Sequence, residues 1–287
     1  MLYAVSVVEL KNLSVGRKKR LLLKNINIRL TAGQKWFLYG DGEAVTLYHL
    51  LSGLIRDYSG NVHINEYIPA RREPDFYRQC CFIPSYFPIL KVSCEVYIRH
   101  YLTMYPRLDR NILESELRAF GIDPSDNMQK LSFSKRKIFH LLLALSRRPE
   151  FLMIKELFHG LSESDRCPVH NLLREYVGSG QCLVHFGGKL SDYRDLIDNV
   201  AVFYNGTLLR SYSLAELSGN YCVFHVRSRR FLDHNPLHAV RMVRGWKVLD
   251  ENPGGMTCPP DFDLLSAYFQ EAGDLVKIKD RLENQDE

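Results

Sequence analysis

No stretch of the 287 residues approaches the ~18 consecutive apolar side chains that a membrane-spanning helix needs, so no such span is expected. The cysteines lack a framework as well. Seven occur, an odd number, with Cys80 and Cys81 adjacent and the others far apart, and no CxxC or other ligand spacing appears. That argues against a zinc site or a disulfide scaffold and predicts free buried thiols. Met1 to Glu9 contain no basic leader region and run straight into a strand-like alternation, which predicts no signal peptide and a cytoplasmic chain. One absence is local: no lysine occurs between Lys35 and Lys91.

What is present is enough for a folded chain. A hydrophobic content of 46% can fill a packed core, and the length allows one large domain or two smaller ones. The net charge of +5 is spread thinly. Its one dense cluster, Arg17-Lys18-Lys19-Arg20, has no interleaved aromatic residues and reads as a solvated hairpin turn, not a nucleic-acid patch.

The most informative stretch runs from Trp36 to Leu54. Trp36-Phe37-Leu38 read as a strand, Tyr39 to Val45 as a glycine-bearing loop, and a helix is expected to open at about Thr46. This is the order of a phosphate-binding loop, GxxxxGK[ST], whose N–H groups cradle phosphates, whose lysine reaches the outer phosphates and whose hydroxyl holds magnesium. The segment Thr46-Leu47-Tyr48-His49-Leu50-Leu51-Ser52-Gly53-Leu54 resembles the stretch that follows this loop in ATP-binding cassette (ABC) transporter subunits, and it sets the register. In that register the motif glycines fall on Leu38 and Glu43, the lysine on Ala44 and the serine on Val45, with Gly42 inside the loop; only Thr46 keeps its type. A γ-phosphate would face Glu43 and Asp41, and repulsion at ~4 Å costs roughly 1 to 4 kcal/mol depending on screening.

The resemblance extends over residues 3 to 219. Alternating residues 3 to 13 and Leu21 to Leu30 match the opening strands of such cassettes, and Ser59 to Asn65 and Cys80 to Pro84 match later ones. The adenine-stacking aromatic falls on Arg17, and the glutamine that touches magnesium and couples to the transporter falls on Ser85. Tyr86 to Leu90 is either a contact surface for a membrane partner or a core-facing loop. Residues 93 to 121, with Pro106 as a stop, resemble the inserted helical subdomain.

The signature LSGGQ falls on Leu131-Ser132-Phe133-Ser134-Lys135, which keeps Ser132 and loses both glycines. A phenylalanine at that point is expected to block the approach to a phosphate held by the opposite subunit, although Ser132 and Lys135 remain as candidates to serve a phosphate presented by a partner. The D-E-P-T-x-G-L-D segment falls on Lys155 to Ser162. Its magnesium aspartate is Lys155, and the general-base glutamate is retained as Glu156. A base without metal or positioned phosphate has nothing to activate. Lys155 is read either as a substitute cation or, better, as the ion-pair partner of Glu43 or Asp41. The switch histidine falls on Gly188, while the nearby His185 reads as a packed strand residue. Residues 166 to 176 are expected to be helical, as are 214 to 218, and Asn205-Gly206 is expected to turn a hairpin.

Beyond residue 219 the likeness is to the small appended region of ABC-2 type export cassettes. Tyr221 to Arg229 and Ala239 to Leu249 each alternate like one strand, Asn252 to Gly255 is a turn, Asp261 to Leu275 is helical, and 276 to 287 are charged and frayed.

The expectation is therefore an α/β P-loop ABC-cassette fold with an antiparallel β subdomain, a helical subdomain at about 86–148, and an α+β extension over 220–287 that follows a cassette domain at 1–219. The resemblance implies a peripheral subunit at the cytoplasmic face of a membrane. It would contact the membrane through a permease, form a heterodimer with a second cassette, and bind no nucleic acid. Because so many site positions are replaced, no ATP or magnesium is expected. The alternatives are a working or half-working ATPase that uses Lys155 and Lys135, and a soluble interaction module derived from a cassette.

Overall fold

A computed structural model of the chain describes residues 7–17, 20–176, 180–226, 238–242, 245–251, 263–265 and 267–268. The first two strands, β1 (Val7–Arg17) and β2 (Arg20–Thr31), pair antiparallel, with Arg17 opposite Arg20. Lys18, Lys19 and the side chain of Arg17, at the adenine-stacking position, lie outside the described residues.

Strand β3 (Lys35–Tyr39) follows, and then helix α1 (Asp41–Leu51). Strand β4 (Ser59–Ile64) returns to pair with β1, which gives a three-stranded antiparallel sheet β2-β1-β4. The short helix α2 (Pro74–Gln79) leads into strand β5 (Cys80–Ile83).

The helical region starts after this strand. Helix α3 (Cys94–Met104) is capped by Ser93, whose hydroxyl accepts from Val96 N at 3.3 Å, and helix α4 (Arg110–Ala119) by Asp109, which accepts from Ile112 N at 3.2 Å. Leu113 and Leu117 of α4 are fully buried toward helix α5 (Phe133–Ser146), as a periodic apolar face requires.

Strand β6 (Phe151–Lys155), helix α6 (Glu163–Tyr176) and strand β7 (Cys182–Phe186) then enter the main sheet. Helix α6 begins three residues earlier than expected from the sequence and tolerates Pro168 near its start. Strands β8 (Asn199–Tyr204) and β9 (Thr207–Ser213) form the predicted hairpin, with Asn205 and Gly206 both at positive φ (49° and 81°). The main sheet has the order β5-β6-β7-β3-β8-β9. The pairs from β5 through β8 are parallel, and β9 is the antiparallel edge. Fully buried residues such as Phe151, Ile154, Val184 and Phe186 fill it on both faces, as the near-continuous apolar strands demand.

Helix α7 (Leu214–Asn220) leads to strand β10 (Tyr221–Val226). The stretch expected as one strand at 239 to 249 is instead two, β11 (His238–Met242) and β12 (Gly245–Glu251), which pair antiparallel in the order β10-β12-β11. Alternation persists in both strands, so period two alone hid the reversal. Residues 263–265 and 267–268 are helical with Leu265 fully buried; the 252–255 turn, Phe269 and the 276–287 tail lie outside the described residues. Among the described residues no helix is long and apolar enough to cross a membrane. Cys80, Cys81, Cys94 and Cys182 are buried and free, whereas Cys167 is exposed, because α6 buries Val169, Leu172 and Leu173 on its other face.

Candidate functional site

The residues singled out from the sequence converge where the parallel strands end. Leu38 and Lys155 both sit level with Phe186, and Ile83 is level with Ile154. The carboxyl ends of β5, β6, β7 and β3 therefore face one region, the usual location for a ligand in an open α/β sheet. The backbone ladder continues past the strands there, with Glu156 N donating to Phe186 O at 3.0 Å and Gly187 N donating to Leu38 O at 3.2 Å.

The phosphate loop is absent. Helix α1 begins at Asp41 and not at about Thr46, so one residue, Gly40, joins strand to helix. Gly40 has φ +152°, and a Cβ there would lie 3.0 Å from Phe203 O, so only glycine suits this close approach to β8. Gly42 falls in the first turn of the helix, and Ala44, at the lysine position, is fully buried. Thr46 turns its hydroxyl back onto its own helix, donating to Gly42 O at 2.7 Å. Glu43 reaches the other way and accepts from Gly206 N at 2.7 Å, which ties α1 to the β8–β9 turn. The expected Glu43–Lys155 ion pair is therefore not made. Among the described residues Lys155 has no ion pair, and the side chain of Asp41 lies outside them.

Glu156 adopts φ +46°, left-handed for a residue with a Cβ. Two side chains hold it. Ser85, 3% exposed, donates its hydroxyl to Glu156 Oε2 at 2.6 Å. Lys137 Nζ donates to Glu156 O at 2.5 Å and to His159 O at 2.9 Å. The Lys137 side chain is 1% exposed, and burial pushes its ammonium down to about 8, opposed by the Glu156 charge. Beside them, Gly188 stands at φ +95° with the Tyr193 hydroxyl 3.3 Å from where a Cβ would be. Tyr193, 1% exposed, accepts from Leu157 N at 3.0 Å, and burial raises its pKa.

The signature segment is equally occupied. Ser132 caps α5 by accepting from Lys135 N at 3.2 Å. Lys135 does not face outward for a partner's phosphate: its Nζ donates to Phe120 O at 2.8 Å and to Asp165 Oδ1 at 3.1 Å. Asp165 also accepts from the hydroxyls of Ser134 at 2.6 Å and Ser162 at 2.7 Å, and despite burial these bonds and Lys135 hold its carboxyl below the usual range. The Phe133 ring lies on Gly160, where an added Cβ would meet ring carbon Cε1 at 2.4 Å, and it contacts Tyr86 at 5.6 Å between centroids. The Tyr86-to-Leu90 loop is mixed: Tyr86 and Ile89 are exposed, while Phe87 stacks on His140 at 3.9 Å. His185 is fully buried, as a packed strand histidine should be.

Lys137 and Tyr193 were not found from the sequence. Lys137 lies in the run Lys135-Arg136-Lys137, which reads as a solvated face, yet it shares the helical stripe of Ile138, Leu141 and Leu145, and that spacing was the available signal.

Neither an open loop nor a free hydroxyl of Thr46 or Ser85 stands where the resemblance places triphosphate and magnesium. Only Gly40 joins β3 to α1, the Thr46 and Ser85 hydroxyls are spent within the chain, and among the described residues no cluster of three His, Cys, Asp or Glu side chains is placed to hold a metal. A 740 Å³ cleft lies at the opposite end of β5 and β6, between Tyr105, Arg147 and Glu150.

No family model matches the sequence. Among curated proteins it is 25% identical over 206 residues to a ribose import ATP-binding protein of Rhizobium etli, covering 67% of this chain and 40% of that one. It is 22% identical over 232 residues to a lantibiotic transport ATP-binding protein of Streptococcus pyogenes, covering 77% of this chain and all (100%) of that one. The chain thus spans about 40% of the length of the ribose import relatives. Among solved structures, an ATP-binding subunit of an ABC transporter superposes with a TM-score of 0.64 at 20% identity, over 74% of this chain and 92% of that one. The chain has the ABC ATP-binding cassette fold, and the sequences it resembles are ABC transporter ATP-binding proteins. Their names do not specify the ABC-2 type.

Proposed function

We propose that this ABC-cassette chain is a catalytically silent subunit of a transporter, acting by shape as the partner of an active cassette and a membrane permease. One observation carries the reading. The phosphate-binding loop is replaced by an immediate turn of helix whose polar groups are spent on the fold, Thr46 on Gly42 and Glu43 on Gly206. Glu156 keeps the general-base carboxylate, but Ser85 holds one of its oxygens and Lys137 holds its backbone carbonyl. Residues 1–219 form the cassette in this proposal, with the helical subdomain at about 86–148 and residues 220–287 as an appended α+β region. The chain would sit at the cytoplasmic face of the membrane through its permease, without a nucleotide or metal of its own.

A second reading, an ATP-binding subunit, has one observation in its favour: Lys155 lies in the same region without an ion pair among the described residues. Calorimetry separates the two. Titrating ATP and magnesium at millimolar concentration into the full chain should give no saturable heat. Saturable binding that disappears in the Thr46→Ala, Lys155→Ala double variant would overturn the silent-subunit proposal.

A further inference from the structure

A second cavity lies between the edge strand β5 and helices α3 and α5, beside the loop that follows β5. It has a volume of 160 Å³ and is walled by Cys81, Phe87, Tyr97, Tyr101, His140 and Ala144 among others. A cavity of about 150 Å³ with apolar walls is the size that admits a single benzene ring. The walls are dominated by rings: Tyr97 meets His140 edge-on at 5.3 Å and 87°, and Phe87 lies flat on His140 at 7°. Such walls present both ring faces and ring edges to a guest ring.

The lining is not wholly apolar, since it carries the hydroxyls of Tyr97 and Tyr101 and the imidazole of His140. His140 Nε2 is buried and has no hydrogen-bond partner among the described residues. Burial pushes the ring's pKa down to about 4, so it is neutral near pH 7 and offers one donor or one acceptor, not a charge. Tyr101, another polar wall residue, already accepts from Arg147 at 3.2 Å. An unsatisfied buried nitrogen costs free energy that a ligand bearing a single complementary group would recover.

We propose that this cavity is a binding site for a small, uncharged aromatic molecule carrying one hydroxyl or N–H, seated among the rings and hydrogen-bonded to His140 Nε2. Phenols and indoles have that chemistry. The same ring could arrive on a tyrosine side chain of a protein partner, and the test distinguishes the two sources.

The probes are p-cresol, toluene and N-acetyl-tyrosinamide, titrated into the full chain by calorimetry while the imidazole nitrogens are followed by ¹H–¹⁵N NMR. Saturable p-cresol binding is expected, with a shift confined to one imidazole that is missing in His140→Phe. That variant keeps a ring on Phe87 but should bind p-cresol about tenfold more weakly, the loss of one neutral hydrogen bond, with toluene affinity little changed. Ala144→Phe should fill the cavity and abolish both; Ala144→Val, a smaller intrusion, should weaken both, and circular dichroism checks that each variant is folded. Absence of p-cresol binding, or equal binding in the Ala144 variants, would overturn the site. Binding of N-acetyl-tyrosinamide as tight as that of p-cresol would overturn the small-molecule assignment in favour of a side chain from a partner. Each outcome is independent of whether ATP binds.

Discussion

His185 sits fully buried in β7 against Tyr193, at 4.5 Å between ring centroids, and neither of its ring nitrogens has a hydrogen-bond partner among the described residues. Burial first, and the neighbouring His170 second, push its pKa down to about 3. His140 is pushed to about 4 by burial alone. In the unfolded chain both rings titrate near their ordinary value of about 6.5, so below that pH the unfolded state binds protons that the folded state refuses. The stability these neutral rings permit is therefore complete above about pH 6.5 and is lost as the pH falls toward their folded values. Each ring should steepen that loss by roughly 1.4 kcal/mol per pH unit. Urea unfolding between pH 7.5 and 5 measures it. In His185→Leu the slope should flatten while stability at pH 7.5 holds or rises, since removing an unsatisfied buried polar group in favour of an apolar one of similar size is near neutral or favourable. An unchanged slope would mean that His185 is hydrated in the native state. From the sequence the residue was legible as packed, because it lies inside an apolar strand; its lack of any partner was not, because partners come from other elements.

At the scale of elements, the junction of β3 and α1 decides what this region does. Sequence pattern located the strand and the body of the helix correctly, since Leu47, Leu50 and Leu51 repeat at helical spacing and are buried. It misjudged the helix start by five residues, from Asp41 to Thr46, because family likeness supplied a loop that the local residues do not need. Glu43 and Ala44 are good helix formers, and nothing in the first turn pays the cost of an open phosphate cradle. The fold instead pins that turn to the β8–β9 hairpin through Glu43 and Gly206. Glu43→Ala should destabilise the chain by about 1.5 to 3 kcal/mol, the range for a hydrogen bond to a charged group, and Glu43→Gln should recover part of it. Gly40→Ala should cost about 2 kcal/mol or more, since it adds a Cβ against Phe203 O at a φ of +152°. Chemical denaturation reads both. If Glu43→Ala were neutral, the carboxylate would be solvated and the turn held by packing alone.

Over the whole molecule, side chains are engaged within the chain at both surfaces that the resemblance assigns to a working cassette. One is the strand-end region, where α1 follows β3 directly and Tyr193 stands beside Gly188. The other is the signature segment, where Phe133 covers Gly160, Ser132 caps its own helix and Lys135 turns inward to Asp165. The order of strands and helices was readable because hydrophobic period and turn residues are local. At the site the sequence offered only the changed positions Ala44, Ser85, Lys155 and Gly188; the packing around them was not legible, because Lys137 and Tyr193 come from distant parts of the chain. If both surfaces are closed, nucleotide has nothing to bridge between two copies. Sedimentation velocity of the full chain should then give the same association state with and without ATP and magnesium. Phe133→Gly, which uncovers only the second surface, should leave that indifference intact while lowering stability through loss of the ring's contacts and the added backbone freedom of glycine. ATP-driven dimerisation of the unmodified chain would mean that the first surface opens in solution, and the silent-subunit proposal would fall with it.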